Sequence, residues 1–158
     1  MSVLELQQVT GGYTRKPVIK ELSFTIEKGE LVGLIGLNGA GKSTTIKHII
    51  GTMLPKEGDI RLNGVTLQED TDKYRSAFSY IPETPVLYDE LTLREHLALT
   101  AMAYGLDEAS LAARSEVLLK EFRMEKRLNW FPSHFSKGMR QKVMIMCAFF
   151  SQSKSLYN

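Results

Sequence analysis

Apolar and polar residues alternate from Val18 to Ile26 in PVIKELSFTIEKGE, and the run stops at Lys28-Gly29. That period of two predicts a half-buried strand closed by a turn. Leu4, Leu6 and Val9 mark a second strand-like edge upstream, so antiparallel pairing between the two is expected. Leu31-Val32-Gly33-Leu34-Ile35 is a further strand-like apolar run. Asp59 to Leu67 sets Asn63-Gly64 between short apolar segments, a strong short-range hairpin signal. Ala77 to Ile81 predicts one more strand, stopped by Pro82. Then the period lengthens. Thr92-Leu93-Arg94-Glu95 is a capping box, and Leu93, Leu97, Ala101 and Tyr104 follow at helical spacing as far as Gly105. A second helix is expected from Asp107 to Phe122, and a third from Ser136, with Met139, Val143, Met146, Cys147 and Phe150 on one broad apolar face. Strands first and helices later make an α/β chain without internal repeats.

Composition narrows the class. With 158 residues, 43% hydrophobic and 24% charged, the chain has the balance of one modest soluble domain or part of one. Its 20 basic and 18 acidic residues give a net charge of +2, spread along the sequence, so nothing in the charge argues for nucleic acid. The mild basic excess between Lys120 and Lys142 reads as solvated surface. Cys147 is the single cysteine, which excludes an internal disulfide and a cysteine zinc site, favours a reducing compartment, and suits core packing. The opening MSVLELQQVT lacks the basic region of a signal peptide. The longest apolar run, Val143 to Phe150, falls far short of the roughly 20 residues a membrane-spanning helix needs.

The chemistry concentrates between Gly33 and Thr45, in GLIGLNGAGKSTT. An apolar run leads into Gly36-Leu37-Asn38-Gly39-Ala40-Gly41-Lys42-Ser43, and a helix-capable segment from Thr44 to Ile50 follows. The pattern G-x-x-x-x-G-K-[ST] between strand and helix is a phosphate-cradling loop. Glycines lack Cβ and accept positive φ, so successive N–H groups of Asn38, Gly39, Ala40, Gly41 and Thr44 can turn toward one anion. The helix start adds unpaired amides and a positive dipole end. Lys42 offers a mobile cation for terminal phosphates, and the Ser43 hydroxyl suits Mg2+, which prefers oxygen ligands.

Other motifs stand in an order that resembles the ATP-binding subunit of ABC transporters over the whole chain. The wording of GGYTRKPV, YIPETPVLY and HFSKGMRQKVMIMCAF is similar to the Ecs-type branch of that family. The resemblance implies a P-loop NTPase core, here incomplete, with N-terminal antiparallel strands and an ABC-type helical subdomain. It implies a nucleotide-binding core over 1–83, a helical subdomain over 84–135 and a signature helix over 136–150. Tyr13 stands where the family stacks an aromatic ring on adenine, and a flat π face suits any base. Glu83, in YIPETP, holds the Q-loop position usually occupied by glutamine, which implies a catalytic group and Mg2+ ligand alongside Ser43. As a carboxylate it adds charge near the γ-phosphate and cannot donate a hydrogen bond. Ser136, Lys137 and Gly138 resemble a degraded signature, with Lys137 replacing a glycine and Met139 the glutamine. In the family, that turn reaches ATP held by an opposite subunit, and Ser136 can also simply cap its helix.

The resemblance thus implies ATP and Mg2+ as cofactors, an ABC-type dimer or homodimer, transmembrane permease subunits as partners, and a cytoplasmic place at the inner face of the plasma membrane. The strand ending in Asp and Glu that follows the signature in the family, and the switch histidine after it, cannot be placed. Asp89-Glu90 precedes the signature and reads as a loop, Asp107-Glu108 reads as a helix start, and His48, His96 and His134 all lie upstream. We therefore expect a chain truncated before that strand, with doubtful folding alone and doubtful hydrolysis, so that a non-hydrolysing nucleotide-binding fragment is the alternative reading. A GTPase would carry Asn-Lys-x-Asp, which is absent. A kinase would leave Tyr13, the Q-loop-like turn and the signature-like turn unexplained.

Overall fold

The structure is a computed structural model and describes residues 2–151. It divides between Ala77 and Phe78 into two compact units.

In the first unit, β1 (Ser2–Gly11), β2 (Ile19–Glu27), β3 (Glu57–Leu62) and β4 (Val65–Thr66) form a four-stranded antiparallel sheet in the order β2-β1-β3-β4. The register explains the alternation: Leu4 and Leu6 oppose Ile26 and Phe24 on one side and Leu62 and Ile60 on the other. Leu4, Leu6, Val9, Ile19, Ile60 and Leu62 are buried. Leu6 and Val9 are an odd number of residues apart, so a regular strand would point them to opposite faces. Gln8 resolves the conflict with φ 52, in a bulge that breaks the register on both sides of β1. Its N–H donates to Ser23 Oγ at 2.8 Å. The bulge presses on Gly58, where a Cβ would overlap the Gln7 and Gln8 carbonyl oxygens.

Asn63 and Gly64 turn β3 into β4 with φ 48 and 79, as the hairpin signal predicts. Helix α1 (Lys42–Ile49) lays His48 against Gly11, too close for any side chain there. The His48 ring accepts burial by pairing Nδ1 with Met53 O at 2.8 Å. Helix α2 (Thr71–Ser76) is capped by Asp70 and buries Tyr74, whose hydroxyl donates to Ile49 O at 2.6 Å.

Two expected strands do not form. Leu31 to Ile35 pairs with no strand among the described residues and is exposed throughout, Leu31 at 101% and Ile35 at 95%. Ala77 ends α2 as its C-cap, and residues 78–81 are irregular. The physical reason is shared. An apolar run becomes a strand only when a neighbouring strand pairs with it, and neither run has a pairing strand among the described residues.

The second unit is helical. Helix α3 (Leu93–Ala103) opens with the predicted capping box, in which Thr92 and Glu95 exchange hydrogen bonds. Helix α4 (Glu108–Phe122) is capped by Asp107 through Ser110 N–H, and α5 (Lys137–Ser151) by Ser136, whose Oγ accepts from Met139 N–H at 3.3 Å. Leu93, Leu97 and Ala101 of α3 meet Leu118 and Leu119 of α4 and Val143, Met146 and Phe150 of α5 in one core. Tyr104 ends α3 as its C-cap and stays exposed. Buried His96 bridges the segment before α3, its Nδ1 on Thr92 O at 2.9 Å and its Nε2 accepting Tyr88 N–H at 3.0 Å. Cys147 is half-buried beside that core, and burial pushes its thiol up, in keeping with packing rather than reactivity.

Candidate functional site

The glycine loop is built by backbone that other residues would not adopt. Gly39 and Gly41 have φ 84 and 93, and Gly41 is the N-cap of α1. A Cβ on Gly41 would also stand 2.7 Å from Ile19 Cγ2, so the loop can seat against β2 only with glycine there. Ala40 N–H turns back to Leu37 O at 3.1 Å, and Thr45 N–H starts the helical ladder on Gly41 O at 2.8 Å. The amides of Lys42, Ser43 and Thr44 precede that ladder. No side chain caps them and no acid lies in the first turn of α1. By contrast, Asp70, Thr92, Asp107 and Ser136 cap the four other α-helices. The uncapped end is therefore the one that the glycine loop faces.

Lys42 Nζ donates to Gly36 O at 2.6 Å and Leu37 O at 2.8 Å, which fixes its ammonium over its own loop. Ser43 is exposed at the helix start, whereas Thr44 is buried. Thr45 is buried too and returns its hydroxyl to Gly41 O at 3.0 Å. Residues 31–40 are exposed throughout, so the loop lies at the surface. A donor set of first-turn amides, one lysine and one serine hydroxyl fits a polyphosphate and its Mg2+.

Tyr13 lies in the same unit, 58% exposed, with Lys47 Nζ 5.0 Å from the ring centroid. Hydrogen bonding to Lys47 first, and to Thr44 second, holds its phenol below the usual value. Lys47 was not singled out from the sequence. The signal that finds it is helical spacing, since Thr44 and Lys47 lie three residues apart on one face of α1.

Glu83 and Ser136, Lys137 and Gly138 belong to the second unit. Glu83 is exposed in an irregular segment, which is fastened to α5 where Gln141 Nε2 donates to Pro82 O at 3.4 Å and Val86 N–H to Met144 Sδ at 3.1 Å. Ser136, Lys137 and Gly138 are exposed at the start of α5. Among the described residues no group of three or more His, Cys, Asp or Glu side chains gathers to hold a metal. Asp89-Glu90 lies in a turn and Asp107-Glu108 at the start of α4, as expected.

A glycine turn opening into an uncapped helix beside an antiparallel sheet makes the first unit an α/β phosphate-loop structure. The family described as ABC transporter matches residues 19–157, and the chain belongs to it. It is similar to the ABC-type transporter ATP-binding protein EcsA of Bacillus subtilis, 68% identical over 152 residues, which cover 96% of this chain and 62% of that protein. The uncharacterized ABC transporter ATP-binding protein YthP of the same organism is 43% identical over 152 residues, covering 96% of this chain and 60% of its own length.

A solved ATP-binding subunit of an ABC transporter superposes with a TM-score of 0.89 at 59% identity, over 95% of this chain and 62% of that one. The cbiO1 protein of Clostridium perfringens, part of the ABC transporter complex cbiONQ, superposes with a TM-score of 0.82 at 20% identity and the same coverage, a likeness of fold alone. The chain thus spans about 62% of the length of the EcsA relative. Among the described residues no helix is long and apolar enough to cross a membrane.

Proposed function

We propose that this chain is the ATP-binding part of an ABC transporter subunit. The observation that carries the reading is the uncapped start of α1 behind a positive-φ glycine turn, with Lys42 fixed above it. Asn38, Gly39, Gly41 and Thr44 would present amides to the polyphosphate, Ala40 would join them on leaving Leu37 O, Lys42 would supply a point charge, and Ser43 would ligate Mg2+. Tyr13 would stack on adenine. Bound Mg2+ supplies Lewis-acid charge stabilisation, and this chain's own residues bind and orient what it neutralises.

Glu83, at the Q-loop position, would serve as a catalytic group and as a Mg2+ ligand. Ser136, Lys137 and Gly138 would meet nucleotide held by a second copy in an ABC-type dimer. The proposed division is a nucleotide-binding core over 1–83, a helical subdomain over 84–135 and a signature helix over 136–150. Permease partners in the membrane would take up the movement, with the chain peripheral at the inner face of the plasma membrane.

A second reading, nucleotide binding without turnover, is favoured by one observation. Neither Asp-Glu pair lies at the end of a sheet strand, where a carboxylate could face the phosphate loop. Calorimetry with Mg–ATP tests the binding shared by both readings. Lys42→Ala removes charged hydrogen bonds worth about 1.5–3 kcal/mol, a loss of roughly 10- to 100-fold in affinity. Binding indifferent to that substitution rejects the site. Phosphate release by the purified protein separates the readings: release that depends on Lys42 supports turnover, and binding without release supports the second.

A further inference from the structure

We propose that Lys47 and Lys56 are positioning residues that hold the Tyr13 loop in place for the base, and so set the preference of this site for a nucleoside triphosphate over a bare polyphosphate. The proposal rests on the nucleotide reading above and adds what tunes it.

The loop between β1 and β2 cannot hold itself. Residues 13–16 are exposed, so no core burial orders them. Its own bonds are a closing Val18 N–H to Gly11 O at 2.8 Å and a weak Thr14 hydroxyl to Lys16 O at 3.3 Å. Two lysines from elsewhere in the chain hold it, with Thr44 a further partner of the Tyr13 hydroxyl. Lys47, on α1, sets its ammonium 5.0 Å from the Tyr13 ring centroid, within cation–π range. Lys56, just before β3, donates its Nζ to Thr14 O and to Arg15 O, the latter at 3.0 Å, while its own N–H is anchored on Thr10 O at 2.8 Å. One lysine fixes the ring and the other fixes the backbone next to it.

The consequence is pre-organisation. A ring already held costs less to order when a base stacks on it, so affinity rises without a new contact to the ligand. The helix that carries Lys47 also presents Lys42 and Ser43 to the polyphosphate, so α1 ties the base-binding and phosphate-binding ends of the site to one rigid element. Neither lysine needs to touch the phosphates. That is the feature to test, because a lysine near such a site would otherwise be read as one more phosphate ligand.

The test compares Mg–ATP with Mg–tripolyphosphate by titration calorimetry on the purified protein. Lys47→Met and Lys56→Met are each expected to weaken ATP binding about 3- to 5-fold, the scale of an exposed cation–π contact for the first and of a hydrogen bond for the second, and to leave tripolyphosphate binding unchanged. Lys47→Arg keeps the cation and restores ATP affinity. Equal losses for both ligands would assign the lysines to the phosphates and overturn the proposal, as would no loss for either. A parent protein that binds neither ligand defeats the nucleotide reading itself. Normal ATP binding by both Met variants defeats only the clamp.

Discussion

Two glycines of the first unit share a left-handed backbone yet face different surroundings, and the difference is measurable. Gly58 has φ 81 and lies against the Gln7 and Gln8 carbonyls, so an added Cβ meets backbone that is already committed to the bulge. Gly64 has φ 79, and a Cβ there meets nothing within 4 Å. Gly64→Ala should therefore cost only left-handed strain, about 1–2 kcal/mol. Gly58→Ala adds a collision that cannot relax by rotating a side chain, and should cost clearly more, on the order of 3 kcal/mol or above. Urea unfolding of the two variants checks the ranking, and equal losses would mean that the bulge yields. Gly41 combines both penalties with its neighbour Ile19, so its replacement should disturb the phosphate loop and β2 together.

Among elements, the helix starts divide into those closed by a side chain and the one left open. Thr92, through its hydroxyl first and its amide second, holds the Glu95 carboxyl below the ordinary 4.5, and Ser110 N–H holds Asp107 below 3.8. Both folded values are depressed, so the caps contribute above those ordinary values and their contribution is lost as pH falls through the lowered ones. Acidification below about pH 4 should thus reduce helical circular dichroism of the parent more than that of a Glu95→Gln, Asp107→Asn variant, whose amides still accept but do not titrate. A variant as acid-sensitive as the parent would show that these caps do not carry the loss.

Three of the four side-chain caps were legible because a cap is local, while the Asp70 cap of the short α2 was missed. Thr92 and Glu95, Asp107, and Ser136 each bond within three residues, and the phosphate loop is likewise one contiguous stretch. The Asn63-Gly64 hairpin was legible on the same ground. The Gln8 bulge was not, since it answers a parity conflict between Leu6 and Val9 that appears only once β1 is paired on both sides. Leu31 to Ile35 and Ala77 to Ile81 were misread as strands because apolar sequence records a preference for burial, not the presence of a neighbour. Lys56 on the Tyr13 loop escaped for want of any local pattern, its bond to Arg15 spanning 41 residues.

At the scale of the molecule, the proposed phosphate loop follows directly on an exposed apolar segment. Leu31, Ile35 and Leu37 are 101%, 95% and 85% exposed, and they lead directly into the glycine loop. Contiguous apolar exposure of this kind drives association between copies or capture by other surfaces. Because these side chains contribute no burial here, their replacement should leave the fold's stability alone. A Leu31→Ser, Ile35→Thr variant is expected to keep its melting temperature within about 2 °C, the shift that well under 1 kcal/mol produces in a domain of this size. It should also show lower light scattering and weaker binding of an apolar dye at equal concentration. A melting temperature lowered by several degrees would mean that the segment is buried in solution, against the exposure described here. Scattering unchanged by the substitutions would shift the source of any association to other exposed apolar residues, such as Val86, Met102 and Phe149 of the helical unit. The glycine loop itself should be indifferent: on the proposed reading, affinity for tripolyphosphate would depend on amides between Asn38 and Thr44 and on the Lys42 ammonium, none of which the two substitutions touch.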